Sequence, residues 1–285
     1  MQFTKVEFES RDIIENFLPR NWSAEFTSSE MTFNNIYIWR NLLNTEYAVI
    51  GDCLVLRNTV GGEEFYRTYG DIVRLPIENP TFYALTKPIA DKLLELYPDY
   101  SAEPLRQYAD YVYETADLIN LSGKKYHSKR NHYNAFLREN PNYKYVPLNA
   151  DLAHDCIQFF HEWKVHHKMQ NDNDFRSESK SLLEILSEFD KFKLDGGVLY
   201  DENGCICAFT LSEQLAKDVA VVHFEKASNF VRGAYAAINK LHLEHTYSHL
   251  KYVNREDDGG VEGLRKAKES YKPKFMVQKY KIAKG

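Results

Sequence analysis

Residues 123–136, GKKYHSKRNHYNAF, crowd Lys, Arg and His into a few turns of a chain whose formal net charge is -5. The spacing predicts a helix opening near Gly123, with Tyr126, Tyr133, Phe136 and Leu137 on its core face. Lys125, Lys129 and His132 share another face, flanked by Lys124 and Arg130. Cations in the first turn of a helix oppose its macrodipole unless an anion sits there. Lys125, Lys129 and Arg130 are therefore expected to bind a phosphate or another polyanion, with a solvated basic face as the competing reading. Further on, DVAVVHFE (218–225) alternates as a strand and places Val219, Val221, His223 and Glu225 on one face. His223 and Glu225 are candidate general bases, a role that needs a pKa near the working pH. A surface His–Glu pair is the alternative. Asn254, Arg255, Glu256 and Asp257 then follow another short strand, in a loop closed by Asp258-Gly259-Gly260. Capping of the next helix explains Asp257 or Asp258, whereas Asn254, Arg255 and Asp257 as a set suit contact with a substrate.

Other chemistries are excluded by spacing. In HEWKVHH the first histidine pair, His161 and His166, is five residues apart, whereas the HExxH zinc motif needs four so that both rings share a helical face. His242, His245 and His249 do share a face, but such a stripe reads as a half-buried helix surface, and no metal is expected. Cys53, Cys156, Cys205 and Cys207 have no CxxC spacing and read as free thiols. No GxSxG elbow, Walker loop or dinucleotide fingerprint occurs. Of the 285 residues 44% are hydrophobic and 27% charged, a globular composition. A pI near 6.1 confines any phosphate binding to a local patch. The N-terminal stretch MQFTKVEFESRD has no signal-like apolar run, and no segment approaches the roughly 20 apolar residues of a membrane helix. A soluble, cytoplasmic protein is the expectation.

The elements that must position these residues fall into two series. In the second half, a strand at 143–148 leads to a helix over 151–168 and another over 178–192. A hairpin turning at Glu202-Asn203-Gly204 follows, then strand 218–225, helix 233–247, strand 251–254, helix 261–271 and a last strand 274–282 (KFMVQKYKI). The first half repeats the order: strand 3–8, helices from Ser10 and over 30–43, strands 47–50, 53–57 and 64–69, a helix opened by Asn79-Pro80 and running to Leu96, strand 111–113 and the basic helix 123–138. Two units, 1–144 and 145–285, are expected, joined within Tyr143–Leu148.

This order resembles the GNAT acyltransferase fold, and its duplication resembles the tandem arrangement of Fem-type aminoacyl transferases. Two stretches, YETADLINLSGKKYHSKRNHYNAFLRENPNYKYVPL and YVNREDDGGVEGLRKAKESYKPKFMVQKY, are similar to the C-terminal domain of phosphatidylglycerol lysyltransferases and to stand-alone bacterial proteins that share it. The family pattern of RN, a later N, an acidic residue and a strand falls here on Arg130, Asn131, Asn134, Glu139 and Tyr143–Leu148. The resemblance implies an α+β fold of two GNAT-like domains with mixed sheets flanked by helices. It implies transfer of an aminoacyl group from tRNA to an amine or hydroxyl, the acceptor being a small molecule, a peptide or a lipid headgroup. The donor's phosphates would then account for the basic stretch, and Glu225 or His223, at the end of the fourth strand, would border the acyl group. In acetyltransferases of this fold a Q/R-x-x-G-x-G/A loop holds the pyrophosphate of coenzyme A. Arg232, Gly233 and Ala234 of NFVRGAYAAINK stand in that place without the second glycine, and PIENPTFYAL in the first half has none. An acyl-CoA donor in the second half is one alternative, and a non-catalytic anion-binding module is the other.

Overall fold

The computed structural model describes residues 1–167 and 173–285. The first half runs β1 (Thr4–Lys5), α1 (Arg11–Glu15), α2 (Phe33–Leu43), β2 (Glu46–Ile50), β3 (Cys53–Val60), β4 (Glu63–Gly70), β5 (Phe82–Leu85), α3 (Lys87–Leu96), β6 (Tyr100–Pro104) and β7 (Asp110–Glu114). Helices α4 (Thr115–Asn120) and α5 (His127–Glu139) lead into the second. That half runs β8 (Lys144–Pro147), α6 (Ala150–His167), α7 (Asn173–Ser187), α8 (Phe189–Phe192), β9 (Asp195–Tyr200), β10 (Ile206–Ala216), β11 (Val219–Ala227), α9 (Ala234–Thr246), β12 (Tyr252–Asn254), α10 (Glu262–Glu269), β13 (Phe275–Val277) and β14 (Tyr280–Lys284). Lys168, the last residue of the helix read from the sequence over 151–168, lies outside the described residues.

The strands form two seven-stranded sheets, β1-β2-β3-β4-β5-β14-β6 and β8-β9-β10-β11-β12-β7-β13. The orders are equivalent position by position, except that each half has given its last strand to the other. β14 pairs antiparallel with β5 and β6 of the first half. β7 pairs antiparallel with β12 and β13 of the second. The sheets therefore sort the chain differently from a division at 144/145: residues 110–114 lie in the second sheet and 280–284 in the first. The basic helix α5, drawn along by β7, packs on α9 of the second half.

Local chemistry explains the departures from the sequence reading. Asn79 adopts a left-handed φ of 46° and turns the chain, so Pro80 opens no helix. Phe82, Ala84 and Leu85 are buried in β5, and the helix begins only at Lys87, with a proline in its first turn. KFMVQKYKI is two strands rather than one, because the chain leaves the second sheet after Val277 and enters the first at Tyr280. β6 carries a mostly exposed, polar face and has no apolar alternation to announce it. Thr32 caps α2 by accepting from the Asn35 N–H at 3.1 Å, so that helix starts at Phe33 rather than near Glu30. Gly123, at φ 78°, opens the turn into α5 where the sequence placed it. Tyr126 and Phe136 are fully buried, as the helical spacing requires.

Lys279 sits in the two-residue crossing between β13 and β14 and is completely buried. Its ammonium donates to Asp110 at 2.6 Å and to Glu30 at 2.7 Å. Asp110, the first residue of β7, also accepts from the Ser29 N–H at 2.7 Å and from Asn254 at 2.9 Å. The start of one exchanged strand is thus ion-paired to the start of the other. Burial alone would lower the pKa of Lys279, but Asp110 and Glu30 more than reverse this and keep it charged. Removing one member of such a buried pair strands the other charge, at about 3 to 5 kcal/mol. Lys279→Met is expected to lose stability of that order in denaturant unfolding, with both sheets unfolding in one transition because each contains a strand of the other half.

Candidate functional site

β11 and β12 run parallel only from Val219/Tyr252 to Val221/Asn254. Beyond that register β11 continues to Ala227 while the other chain turns away, and the two diverge. Glu225 stands on the continuing strand and Arg255 at the start of the departing loop. Their side chains bridge the gap at 2.9 Å, and Asn239 of α9 donates to the second Glu225 oxygen at 3.0 Å. The Arg255 guanidinium lies 5.0 Å from the Tyr271 ring centre and 6.0 Å from that of Tyr113, a strand residue of the first half. Lys129 of α5 reaches the same place, with Nζ 3.9 Å above the Tyr271 ring. Burial, and then the nearby Arg255 charge, push the Lys129 amine down to about 8, against the opposing pull of Glu225. Among the described residues no carboxylate forms an ion pair with it.

Three stretches singled out in the sequence thus converge: Lys129 from the basic helix, Glu225 from the fourth strand and Arg255 from the NRED loop. Neither candidate base is free. Both Glu225 oxygens are occupied. A bulge in β11 leaves His223 without a partner on β10 and turns it to the sheet face opposite Glu225, not the shared face that alternation predicts. Its side chain is buried and contacts Glu213 through Nε2 at 2.9 Å and Glu256 through Nδ1 at 2.8 Å. Burial opposes protonation, yet the two carboxylates push the imidazole up to about 9, so it is an imidazolium at neutral pH. Glu256 has a left-handed φ of 58° and is held by Asn35 of α2 at 3.0 Å. Its N–H donates to Asn254 Oδ1 at 2.7 Å. These contacts fix the loop that carries Arg255.

The remaining predicted residues lie around this center or away from it. Asp257 accepts from the Gly259 N–H at 2.9 Å, lies 3.8 Å from Lys279, and is pushed up to about 7 by burial. Asp258 is buried under Arg265 at 2.9 Å and the Tyr111 hydroxyl at 2.6 Å, which outweigh its burial and hold it well below the carboxylate range. It ties the loop to α10. Lys125 pairs with Asp117 at 2.8 Å. Arg130 donates to the carbonyls of Leu121 and Gly123, closing the C-terminal end of α4. Asn131 is exposed, 3.4 Å from His127. The expected trio of Lys125, Lys129 and Arg130 is therefore divided, and only Lys129 turns inward.

Arg232 is mostly exposed, 3.5 Å from Glu139. Gly233 caps α9 at φ 82°, and a Cβ there would lie 2.1 Å from the His132 carbonyl oxygen of α5. Ala234 is buried beneath it. α5 thus covers the entrance to α9, where a pyrophosphate would have to approach. His242 is buried between Ser212, 2.7 Å from Nε2, and the Tyr145 hydroxyl, 2.9 Å from Nδ1, and burial pushes it down to about 3. Among the described residues no group of three His, Cys, Asp or Glu could hold a metal ion. Asn239, Tyr271 and Glu256 escaped the sequence reading as site residues because each fits an ordinary helix face or capping loop.

Two mixed sheets flanked by helices, with the parallel pair splayed in the second, define a tandem GNAT-like fold of the acyltransferase type. The chain belongs to the family described as phosphatidylglycerol lysyltransferase, C-terminal, whose sequence profile matches residues 73–283. It is similar along its whole length, at 32% identity and a TM-score of 0.90, to a conserved protein of unknown function from Bacteroides thetaiotaomicron, which it covers completely. It shares its fold with L-PGS from Bacillus licheniformis at 17% identity and a TM-score of 0.63, over 88% of this chain and 86% of that one. An uncharacterized protein of Mycoplasmoides gallisepticum is 26% identical over 179 residues, 61% of this chain, and the match spans about half of that relative, 55%. Among the described residues no helix is long and apolar enough to cross a membrane.

The imidazolium sandwich gives a signed pH dependence. The His223 pKa is raised in the folded state, so its stabilisation is complete below the ordinary value of 6.5 and is lost as pH rises through about 9. In urea unfolding between pH 6 and pH 10, the stability gap between the wild type and His223→Gln is expected to be widest at the acid end and to narrow toward pH 10.

Proposed function

We propose that the chain transfers an acyl group, from aminoacyl-tRNA, to an amine or hydroxyl, and that the reaction center lies where β11 and β12 diverge. The observation that carries this reading is the convergence of Lys129, Glu225 and Arg255 on Tyr271 at that point. A fixed guanidinium beside a half-buried lysine amine suits a reaction that develops negative charge on a carbonyl oxygen. Arg255 is the cation fixed there, since Glu225 and the loop behind it hold it in position. The outer face of α5 leads to this center with Lys124, Lys125, His127, Asn131 and His132 all exposed. A basic, hydrogen-bonding face of this kind suits the backbone of a single-stranded tRNA acceptor end.

Aminoacyl-tRNA is favoured over acyl-CoA because α5 occupies the approach to α9 at Gly233. The acceptor remains a class: an amine or hydroxyl on a small molecule, a peptide or a lipid headgroup.

The test is a transfer assay with the purified protein and a full set of aminoacyl-tRNAs carrying labelled amino acids. Amines, peptides and phosphatidylglycerol vesicles serve as acceptors, and labelled acetyl-CoA is run in parallel. Label is expected to leave the tRNA and appear on one acceptor class, with none arriving from acetyl-CoA. Arg255→Gln should lower kcat/KM by roughly tenfold or more, the loss of one charge-assisted hydrogen bond. Label arriving from acetyl-CoA but not from tRNA would reverse the choice of donor.

A further inference from the structure

We propose that Lys129, as its neutral amine, takes the proton released when the acceptor's amine or hydroxyl attacks the donor's acyl carbon. The inference rests on the acyl-transfer reading above and supplies the base that reading lacks.

The geometry leaves little choice at the center. Glu225 is held by Arg255 and Asn239 on separate oxygens. His223 has carboxylates on both ring nitrogens. Asp257 faces Lys279 and its own turn rather than the Tyr271 ring. Lys129 differs from all three: it is half-buried, stacked on an aromatic face at 3.9 Å, and pairs with no carboxylate among the described residues.

The charged and titratable groups that face it are Arg255 from the loop after β12, Glu225 from β11 and Tyr271 from the end of α10. Glu225 and the Tyr271 ring face favour an ammonium, but Glu225 already neutralises Arg255. An amine desolvated next to another cation gives up its proton readily, which is how lysines become bases and nucleophiles. Its tuning to about 8 agrees with this placement. A lysine meant only to attract phosphate would instead stand out in water, as Lys124 does in the turn before α5.

The step balances without a further reactant. The acceptor's nitrogen or oxygen forms a bond to the ester carbonyl carbon, and its proton passes to Lys129 Nζ. The tetrahedral intermediate collapses, the ester bond to the terminal ribose oxygen breaks, and the Lys129 ammonium returns the proton to that oxygen. Amide or ester product and deacylated tRNA leave, and Lys129 is neutral again.

Lys129→Arg separates charge from basicity, because a guanidinium keeps the cation and cannot serve as a base near neutral pH. Transfer rate, tRNA affinity and melting temperature would be measured for the wild type and this variant, with wild-type rates followed from pH 6 to pH 10. The expected result is unchanged tRNA affinity and melting temperature, transfer slowed by about 100-fold or more, and a wild-type kcat/KM that rises with pH to a plateau above about 8. Competitive acetylation of the free wild-type protein, read by mass spectrometry at Lys129, should titrate at the same pH. Wild-type-like transfer by Lys129→Arg, or a Lys129 that titrates like an exposed lysine, would overturn the proposal while leaving the acyl-transfer reading intact. No transfer by the wild type from any aminoacyl-tRNA would overturn both. If the arginine variant melts lower, Lys129→Gln and Lys129→Met replace it: rates that follow the loss of the amine at unchanged melting temperature support the base, and rates that stay at the wild-type level refute it.

Discussion

Everything distinctive about this molecule depends on one buried ammonium and the two carboxylates around it. Lys279, Asp110 and Glu30 have no water to solvate them, so each charge is tolerable only while the others are in place. Lys279 and Asp110 lie where the two exchanged strands begin, which makes the ion pair a clasp on the crossing itself. The backbone supports it: Leu105, just before the crossing into β7, donates its N–H to the Lys279 carbonyl at 2.8 Å. Glu30 and Ser29 come from the turn before α2, so the same cluster draws in the first half's helical layer.

The proposed reaction center inherits its geometry from that clasp. Asp110 holds Asn254, Asn254 holds the backbone of Glu256, and Glu256 holds His223, so the loop bearing Arg255 is braced from behind. The brace alternates charged and amide groups and spans both halves, through Asn35 on one side and Glu213 on the other. A non-glycine residue at a left-handed φ, such as Glu256, costs about 1 kcal/mol or more unless its surroundings demand it. Here four hydrogen bonds do, from Asn35, His223 and the Tyr111 N–H to Glu256 and from its own N–H to Asn254. On the other side the strand exchange carries α4 and α5 over to the second half, and this alone sets Lys129 above Tyr271. The candidate residues and the exchange are therefore one design: without the crossing, the basic helix would remain over the first sheet.

The chain was legible where its patterns are local: helical spacing buried Tyr126 and Phe136 at and after the opening of α5. Alternation in DVAVVHFE placed His223 and Glu225 on one face, but a bulge in β11 leaves His223 without a partner on β10 and turns the two side chains to opposite faces. The loop 254–258 stood out because capping requires one acid, whereas the segment carries a dense run of charge. Misreadings came from residues with two local uses. Asn-Pro at 79–80 fits a helix start as well as a turn, and a neighbouring strand decided for the turn. KFMVQKYKI reads as one strand-forming run, and the polar pair Gln278-Lys279 is too short a break to show that the chain changes sheets there. Lys125, Lys129 and Arg130 have the same chemistry on paper; their partners Asp117, Tyr271 and the carbonyls at the end of α4 lie too far along the chain or depend too much on helix rotation to be assigned.

The sequence by itself determined the number and order of most elements, their repetition, and which side chains can donate, accept or titrate, because periodicity and residue type are local properties. Only the tertiary structure decided which sheet the last strand of each half joins, since that choice is made by pairing with edges contributed from distant segments. It also decided protonation. His223 becomes an imidazolium and Lys129 a weakened cation not through their identity but through burial and the charges brought within a few ångströms of them, and those distances exist only once both halves have exchanged their strands.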